Sequence, residues 1–137
     1  MKKAIIIYHS KTGITKKMGE GIYSFLKENN IHAEIYSIQE FKPDMLDDSD
    51  LVLLGCWTSG LMLFLQHPEK VWVNFASGLP DLNGKKVGLF TTYKLATGSM
   101  FGKMKKHIKG NILAELKSKN GKLTDINKSV LLDLIKN

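Results

Sequence analysis

The chain alternates continuous apolar runs with stretches in which apolar residues recur every three or four positions. Ala4-Ile5-Ile6-Ile7-Tyr8 and Leu51-Val52-Leu53-Leu54-Gly55-Cys56 have no polar break, as in strands buried on both faces of a parallel sheet. His32 to Ile38 instead sets Ala33 and Ile35 against Glu34 and Tyr36, a strand nearer an edge. Lys86 to Thr92 and Ile112 to Lys117 read as a fourth and a fifth strand. Met18, Ile22, Phe25 and Leu26 predict an amphipathic helix over 14–28, ended by Asn29-Asn30, with Gly19 and Gly21 allowing close approach to the sheet. Pro43 with Asp44-Met45-Leu46 marks a short helix between residues 39 and 49. Pro68 opens a helix toward Ala76 with Val71, Trp72 and Phe75 as its apolar face. Ser99 caps a helix that turns Met100, Met104 and Ile108 inward and Lys103, Lys105, Lys106 and Lys109 outward. A last helix over 124–136 carries Ile126, Val130, Leu131, Leu134 and Ile135. Strands alternating with helices, and no repeat or linker, predict one domain over 1–137 with a parallel sheet covered on both faces and right-handed crossovers.

Two connections carry more chemistry than a connection needs. After the first strand, Ser10-Lys11-Thr12-Gly13-Ile14-Thr15 gathers three hydroxyls around a glycine where a helix begins. Free backbone N–H groups and the positive helix end there suit an anion, phosphate above all. The same hydroxyls would serve equally well as ordinary helix caps. After the third strand, Trp57 to Leu65 contains no charge and is unusually apolar for a connection.

Charge and cysteine content narrow the function. The formal net charge is +7, and all 20 basic residues are lysines. Without the planar arginine fork, specific nucleic-acid recognition is disfavoured, while attraction to acidic partners remains. No run reaches the roughly 20 apolar residues of a membrane span. Met1-Lys2-Lys3 leads directly into a strand with no small-residue cleavage site, so no signal peptide is expected. A lone cysteine, Cys56, fits a reducing cytoplasm. His9, His32, His67 and His107 show no metal-ligand spacing, so no metal site is expected. Gly55-Cys56 stands where a receiver domain carries its aspartate, and residues 10–15 lack a dinucleotide Gly-x-Gly-x-x-Gly.

The motif Ser10-x-Thr12-Gly13-x-Thr15 straight after an N-terminal strand resembles the FMN-phosphate loop of the flavodoxins, and the resemblance extends over the chain. It implies a flavodoxin-like three-layer α/β/α sandwich with a five-stranded parallel sheet in the order 2-1-3-4-5. That order gathers the loops after strands 1, 3 and 4 at one switch point. It further implies FMN as cofactor, with phosphate on Ser10, Lys11, Thr12, Gly13, Ile14 and Thr15. The ring would lie between Trp57, Thr58, Ser59, Gly60 and Leu61 on one side and Thr92, Tyr93, Lys94 and Leu95 on the other. Gly60 could turn its carbonyl toward flavin N5, and the amides of Lys94 and Leu95 could donate to N1 and O2.

This sequence also departs from the family pattern. Ile14 stands where a small or polar residue is commoner, and Leu95 where short-chain relatives often carry tryptophan. The family's tryptophan more often sits two places after Trp57, so Trp57 is either a stacking residue or part of the core. Lys94 either faces the flavin or is solvated. Flavodoxins are typically acidic, whereas residues 55–66 here contain no carboxylate. The resemblance implies an electron carrier with redox protein partners and without catalytic side chains of its own; the basic charge, a departure from the family, points to partners other than its usual basic reductases, acidic ones included. Two alternatives stand beside it: a small flavin-dependent reductase whose slot is shaped by 61–65, and a binding or regulatory module that retains no flavin.

Overall fold

A computed structural model describes residues 3–59 and 66–136. Its elements are β1 (Lys3–His9), α1 (Ile14–Glu28), β2 (His32–Ser37), a 3-10 turn (Pro43–Leu46), β3 (Leu51–Trp57), α2 (Lys70–Ser77), β4 (Lys86–Thr92), α3 (Met100–Lys105), β5 (Ile112–Ser118) and α4 (Asp125–Ile135). The five strands form one sheet in the order β2-β1-β3-β4-β5, every pair parallel. Fold class and strand order are therefore those expected.

Period-two alternation reappears inside the continuous apolar runs. Ile5, Ile7, Val52, Leu54, Cys56, Val87 and Leu89 pack on one face with Trp72 and Ala76 of α2 and Met100 and Met104 of α3. Ala4, Ile6, Leu51, Leu53, Phe90 and Leu116 pack on the other with Met18, Ile22 and Leu26 of α1 and Leu131 and Leu134 of α4. Both faces of β1 and β3 are covered, so their sequence shows no polar alternation.

Glycine makes two close approaches possible across β3 and β4. Gly55 lies directly across from Phe90 in the β3–β4 register, and Leu53 across from Gly88. A Cβ on Gly55 would stand 2.2 Å from the Phe90 ring, and one on Gly88 would stand 2.6 Å from Leu53 Cδ2. Each large side chain thus fills the space its glycine partner leaves. Gly19 of α1 lies over the same ring, with its Cβ position 3.6 Å from Phe90 Cζ, which is the close approach expected of that helix.

At its C-terminus α1 closes with Asn30 in the left-handed region at φ 64°. Ile31 N–H then reaches Leu26 O at 2.9 Å and Asn30 N–H reaches Lys27 O at 3.0 Å, the paired bonds of a Schellman ending.

Four expectations need correction. Strand β3 continues through Trp57 instead of stopping at Cys56, because Trp57 still pairs with Thr92 of β4. Helix α2 begins at Lys70, two residues after Pro68, and it buries Trp72 and Ala76 while Val71 is half exposed. Ile126 is 76% exposed and faces away from the core that Leu131 and Leu134 enter. Ser99 stands at the N-cap of α3 but its hydroxyl makes no cap bond; Thr124, at the start of α4, accepts from Asn127 N–H at 3.0 Å. None of the described helices is long and apolar enough to cross a membrane.

Candidate functional site

The carboxyl ends of β1, β3 and β4 finish side by side, with His9 opposite Cys56, Cys56 opposite Thr91 and Trp57 opposite Thr92. Beyond them hydroxyls tie the loops together. Thr15 and Thr92 place their Oγ1 atoms 2.6 Å apart, Thr58 and Thr91 theirs 2.7 Å apart, and Thr91 Oγ1 donates to Cys56 O at 2.6 Å. These bonds lie in a buried or half-buried setting, where a hydroxyl without a partner would be costly. They hold the three loops at fixed separation. His9 Nε2, 2.5 Å from Glu69 Oε1, adds a fourth tie from the end of β1 to the residue before α2.

Above this floor is a cavity of about 430 Å³. From the first loop it takes Lys11, Thr12 and Ile14; from the second, Trp57 and Thr58; from the third, Thr92, Tyr93, Lys94 and Leu95. Nine of the predicted residues are thereby brought together. Thr12, Lys94 and Leu95 are exposed at its mouth, and Leu95 retains 62% of its surface. The others lie elsewhere. Ser10 Oγ accepts the Gly13 N–H at 3.0 Å and shapes the loop from below. Thr15 is buried in the hydroxyl floor and does not face the opening. Ser59 pairs with His67 through backbone bonds of 3.0 and 2.8 Å, closing the base of the loop between them. Gly60 and Leu61 lie outside the described residues.

The first loop is not a conventional cap. The N-cap of α1 is Gly13, at φ 90°, and no side chain caps this helix. Only glycine takes that φ without strain, and a Cβ there would meet nothing within 4 Å. The alternative that Ser10 and Thr12 serve simply as helix caps is therefore not what the structure shows. The first amides of α1 have no partner within the helix by its geometry, and Thr12 stands exposed beside them.

Three further residues line the cavity that the sequence did not reveal: Gln66, Ala96 and Lys119. Gln66 is buried, and its carbonyl accepts from Lys103 Nζ at 2.9 Å. Lys119 directly follows β5, and Tyr93 N–H bonds Ser118 O at 3.3 Å, drawing that strand end against the third loop. Its one signal in the sequence was its place just after the fifth strand.

The cavity is cationic, with Lys11, Lys94 and Lys119 and no carboxylate among the described residues lining it. Lys11 Nζ lies 4.9 Å from the centroid of the Trp57 ring, a cation–π contact. Trp57 is half-buried, yet its Nε1 is enclosed and has no hydrogen-bond partner among the described residues. A ligand with carbonyl acceptors on a flat aromatic body would answer both features. An FMN-sized molecule thus fits the donor set, the aromatic lining and the volume, which lies within the ~300–1,000 Å³ usual for small-molecule sites.

Cys56 is chemically quiet. It is fully buried, and burial pushes its thiol up to about 12 from an ordinary value of 9. The thiolate is the nucleophilic form, so the native protein should resist alkylation by iodoacetamide at pH 8 and react only on unfolding. The sign of the linkage follows. Above pH 9 the unfolded chain loses a proton that the folded chain keeps to about pH 12, so stability falls across that window and is unaffected below it. Denaturation midpoints of wild type and Cys56→Ala between pH 8 and 11 should show the steeper fall in wild type.

A model of the family described as "Flavodoxin domain" matches residues 5–126. A flavodoxin of Megasphaera elsdenii is 33% identical over 94 residues, a span of 68% of this chain and 66%, just under two thirds, of that protein. A flavodoxin of Clostridium beijerinckii is 27% identical over 105 residues, 77% of this chain and 75% of its own length. Among solved structures, two-electron reduced Megasphaera elsdenii flavodoxin superimposes with a TM-score of 0.76 at 25% identity, covering 93% of this chain and 94% of its own.

Proposed function

The chain belongs to the flavodoxin family, whose members bind FMN and pass electrons between redox proteins, and from that premise we propose that the cavity over β1, β3 and β4 is its FMN site and that it works as an electron carrier. Bound FMN supplies the redox chemistry; the residues bind it, orient it and set its electrostatics. The amides of the Gly13 turn and the Thr12 hydroxyl receive the phosphate. Trp57 and Tyr93 flank the ring, and the exposed Leu95 leaves one edge open to a partner. Among the described residues no carboxylate or histidine lines the cavity, in keeping with a carrier whose chemistry is that of its cofactor. The observation that carries the reading is the convergence of Thr12 and Ile14, on either side of Gly13, with Trp57 and Tyr93 on one cavity.

The lysines define the partner and the potential. Lys11, Lys94 and Lys119 around the opening, with a net charge of +7, suit an acidic docking face on a redox protein. A reducing cytoplasm suits the single buried thiol. The same charges favour added negative charge on the cofactor, so Lys119→Gln should make the second reduction step more negative. Removing one charge near a partly exposed site changes an interaction of about 1 kcal/mol, or tens of millivolts, read in a redox titration against indicator dyes.

The reading itself is tested by adding FMN to purified protein and passing it through gel filtration. Retained flavin with quenched fluorescence supports it. Complete loss at micromolar protein would overturn it in favour of a binding module without flavin.

A further inference from the structure

We infer that Lys11 is a selectivity residue that makes the Trp57 face accessible to a flavin only when a phosphate arrives with it. The inference rests on the proposed FMN site and goes beyond it. Lys11 belongs to the first loop, where the phosphate is received, yet its ammonium lies 4.9 Å from the ring centroid of Trp57, the last residue of β3. Both side chains line the same cavity. An aromatic ring that stacks on that face of Trp57 must displace the ammonium.

What the ammonium gains on leaving depends on the ligand. Its four-carbon stem is exposed and free to swing. With FMN, the phosphate beside Thr12 and Gly13 offers a charge-assisted hydrogen bond in exchange for the cation–π contact. With riboflavin, which has the same ring and no phosphate, the contact is lost with nothing in return. Lys11 thereby works in both directions: it draws in the phosphorylated ligand and opposes the unphosphorylated one, the pairing of attraction and repulsion on which selectivity rests. Among the described residues no other cation lies over the Trp57 ring.

The test is a pair of titrations on the apoprotein, with FMN and with riboflavin, for wild type, Lys11→Met and Lys11→Arg. Methionine keeps an unbranched stem and removes the charge; arginine keeps the charge. In Lys11→Met, FMN affinity should fall about tenfold or more, the worth of a hydrogen bond to a charged group. Riboflavin affinity should rise about two- to fivefold, the worth of an exposed cation–π contact. Lys11→Arg should keep the preference for FMN. Opposite signs for the two ligands are the signature, since general damage to the loop would weaken both. A riboflavin affinity that is not raised in Lys11→Met, including one too weak to register in either protein, overturns the inference, as does an unchanged FMN affinity. Wild type that binds FMN without the predicted crossing defeats this inference alone; wild type that binds no FMN defeats the proposed function as well.

Discussion

Thr12→Asp should abolish FMN retention and leave the fold untouched. Thr12 is exposed, lines the cavity and precedes Gly13, which opens α1 at φ 90°. A carboxylate there would face a phosphate carrying close to two negative charges. At about 4 Å and an effective dielectric near 20, each pair of unit charges costs about 4 kcal/mol. Even after screening by solvent and salt, the expected loss exceeds about 100-fold in affinity. Thr12→Asn removes the hydroxyl without adding charge and should lose far less. Fluorescence titration with FMN reads the affinity, and the urea midpoint of the apoprotein, expected to match wild type, reads the fold. Undiminished FMN affinity in Thr12→Asp would place the phosphate elsewhere.

Gly55→Ala should be the most destabilising single-methyl change in the sheet. The added Cβ would fall 2.2 Å from the Cε2 and Cζ atoms of Phe90, which is fully buried between β3, β4 and α1. The ring is enclosed in the core beneath α1, packed with Ile6, Met18 and Ile22. Overpacking of this kind costs about 1–3 kcal/mol, and a clash this close against a fully buried ring puts the expected cost near the upper end, about 3 kcal/mol. Urea denaturation should show a lower midpoint with an unchanged slope. Phe90→Leu made in the Gly55→Ala background should recover part of the loss, since the two positions share one space and their effects cannot add. A cost below about 0.5 kcal/mol in Gly55→Ala would mean that the sheet shifts more easily than close packing allows.

The two predictions differ in how far they were legible beforehand. The turn at 10–15 could be read because hydroxyls around a glycine, between a strand and a helix, have a local meaning. Each neighbour was close in the chain, and the structure places Lys11, Thr12 and Ile14 on the cavity. Nothing local marks Gly55 as paired with Phe90, 35 residues on. Helical spacing was a good guide to which helices exist and a poorer one to which residues they bury. Val71 and Ile126 fit an apolar stripe by position but lie in the first turn of their helices, on the side turned from the sheet. Trp57 was assigned to a loop because it follows a glycine and a cysteine, whereas pairing with Thr92 keeps it in the strand.

Lys119 and Gln66 show the same limit at the site itself. Lys119 reaches the cavity because Ser118 and Tyr93 are bonded across β4 and β5, and Gln66 because the chain returns from residue 59 to pair at His67. Both are consequences of strand ends meeting, and no spacing in the chain records them. The Lys11–Trp57 contact likewise joins the first loop to the end of β3, with α1 and β2 lying between them in the chain.

Order and kind of elements, the two-sided burial of β1 and β3, the hydroxyl-rich turn at 10–15 and the excess of lysine were all determined by the sequence alone. Each is a matter of local backbone preference, apolar periodicity or composition, and these act over a few residues or are simple sums. Tertiary structure alone decided which hydroxyls became floor and which remained at the mouth. It also decided that three lysines share one carboxylate-free cavity and that the ammonium of Lys11 rests on Trp57. The reason is physical: a side chain's role in a site is set by its neighbours in space, and the parallel order β2-β1-β3-β4-β5 makes neighbours of residues that the chain holds far apart.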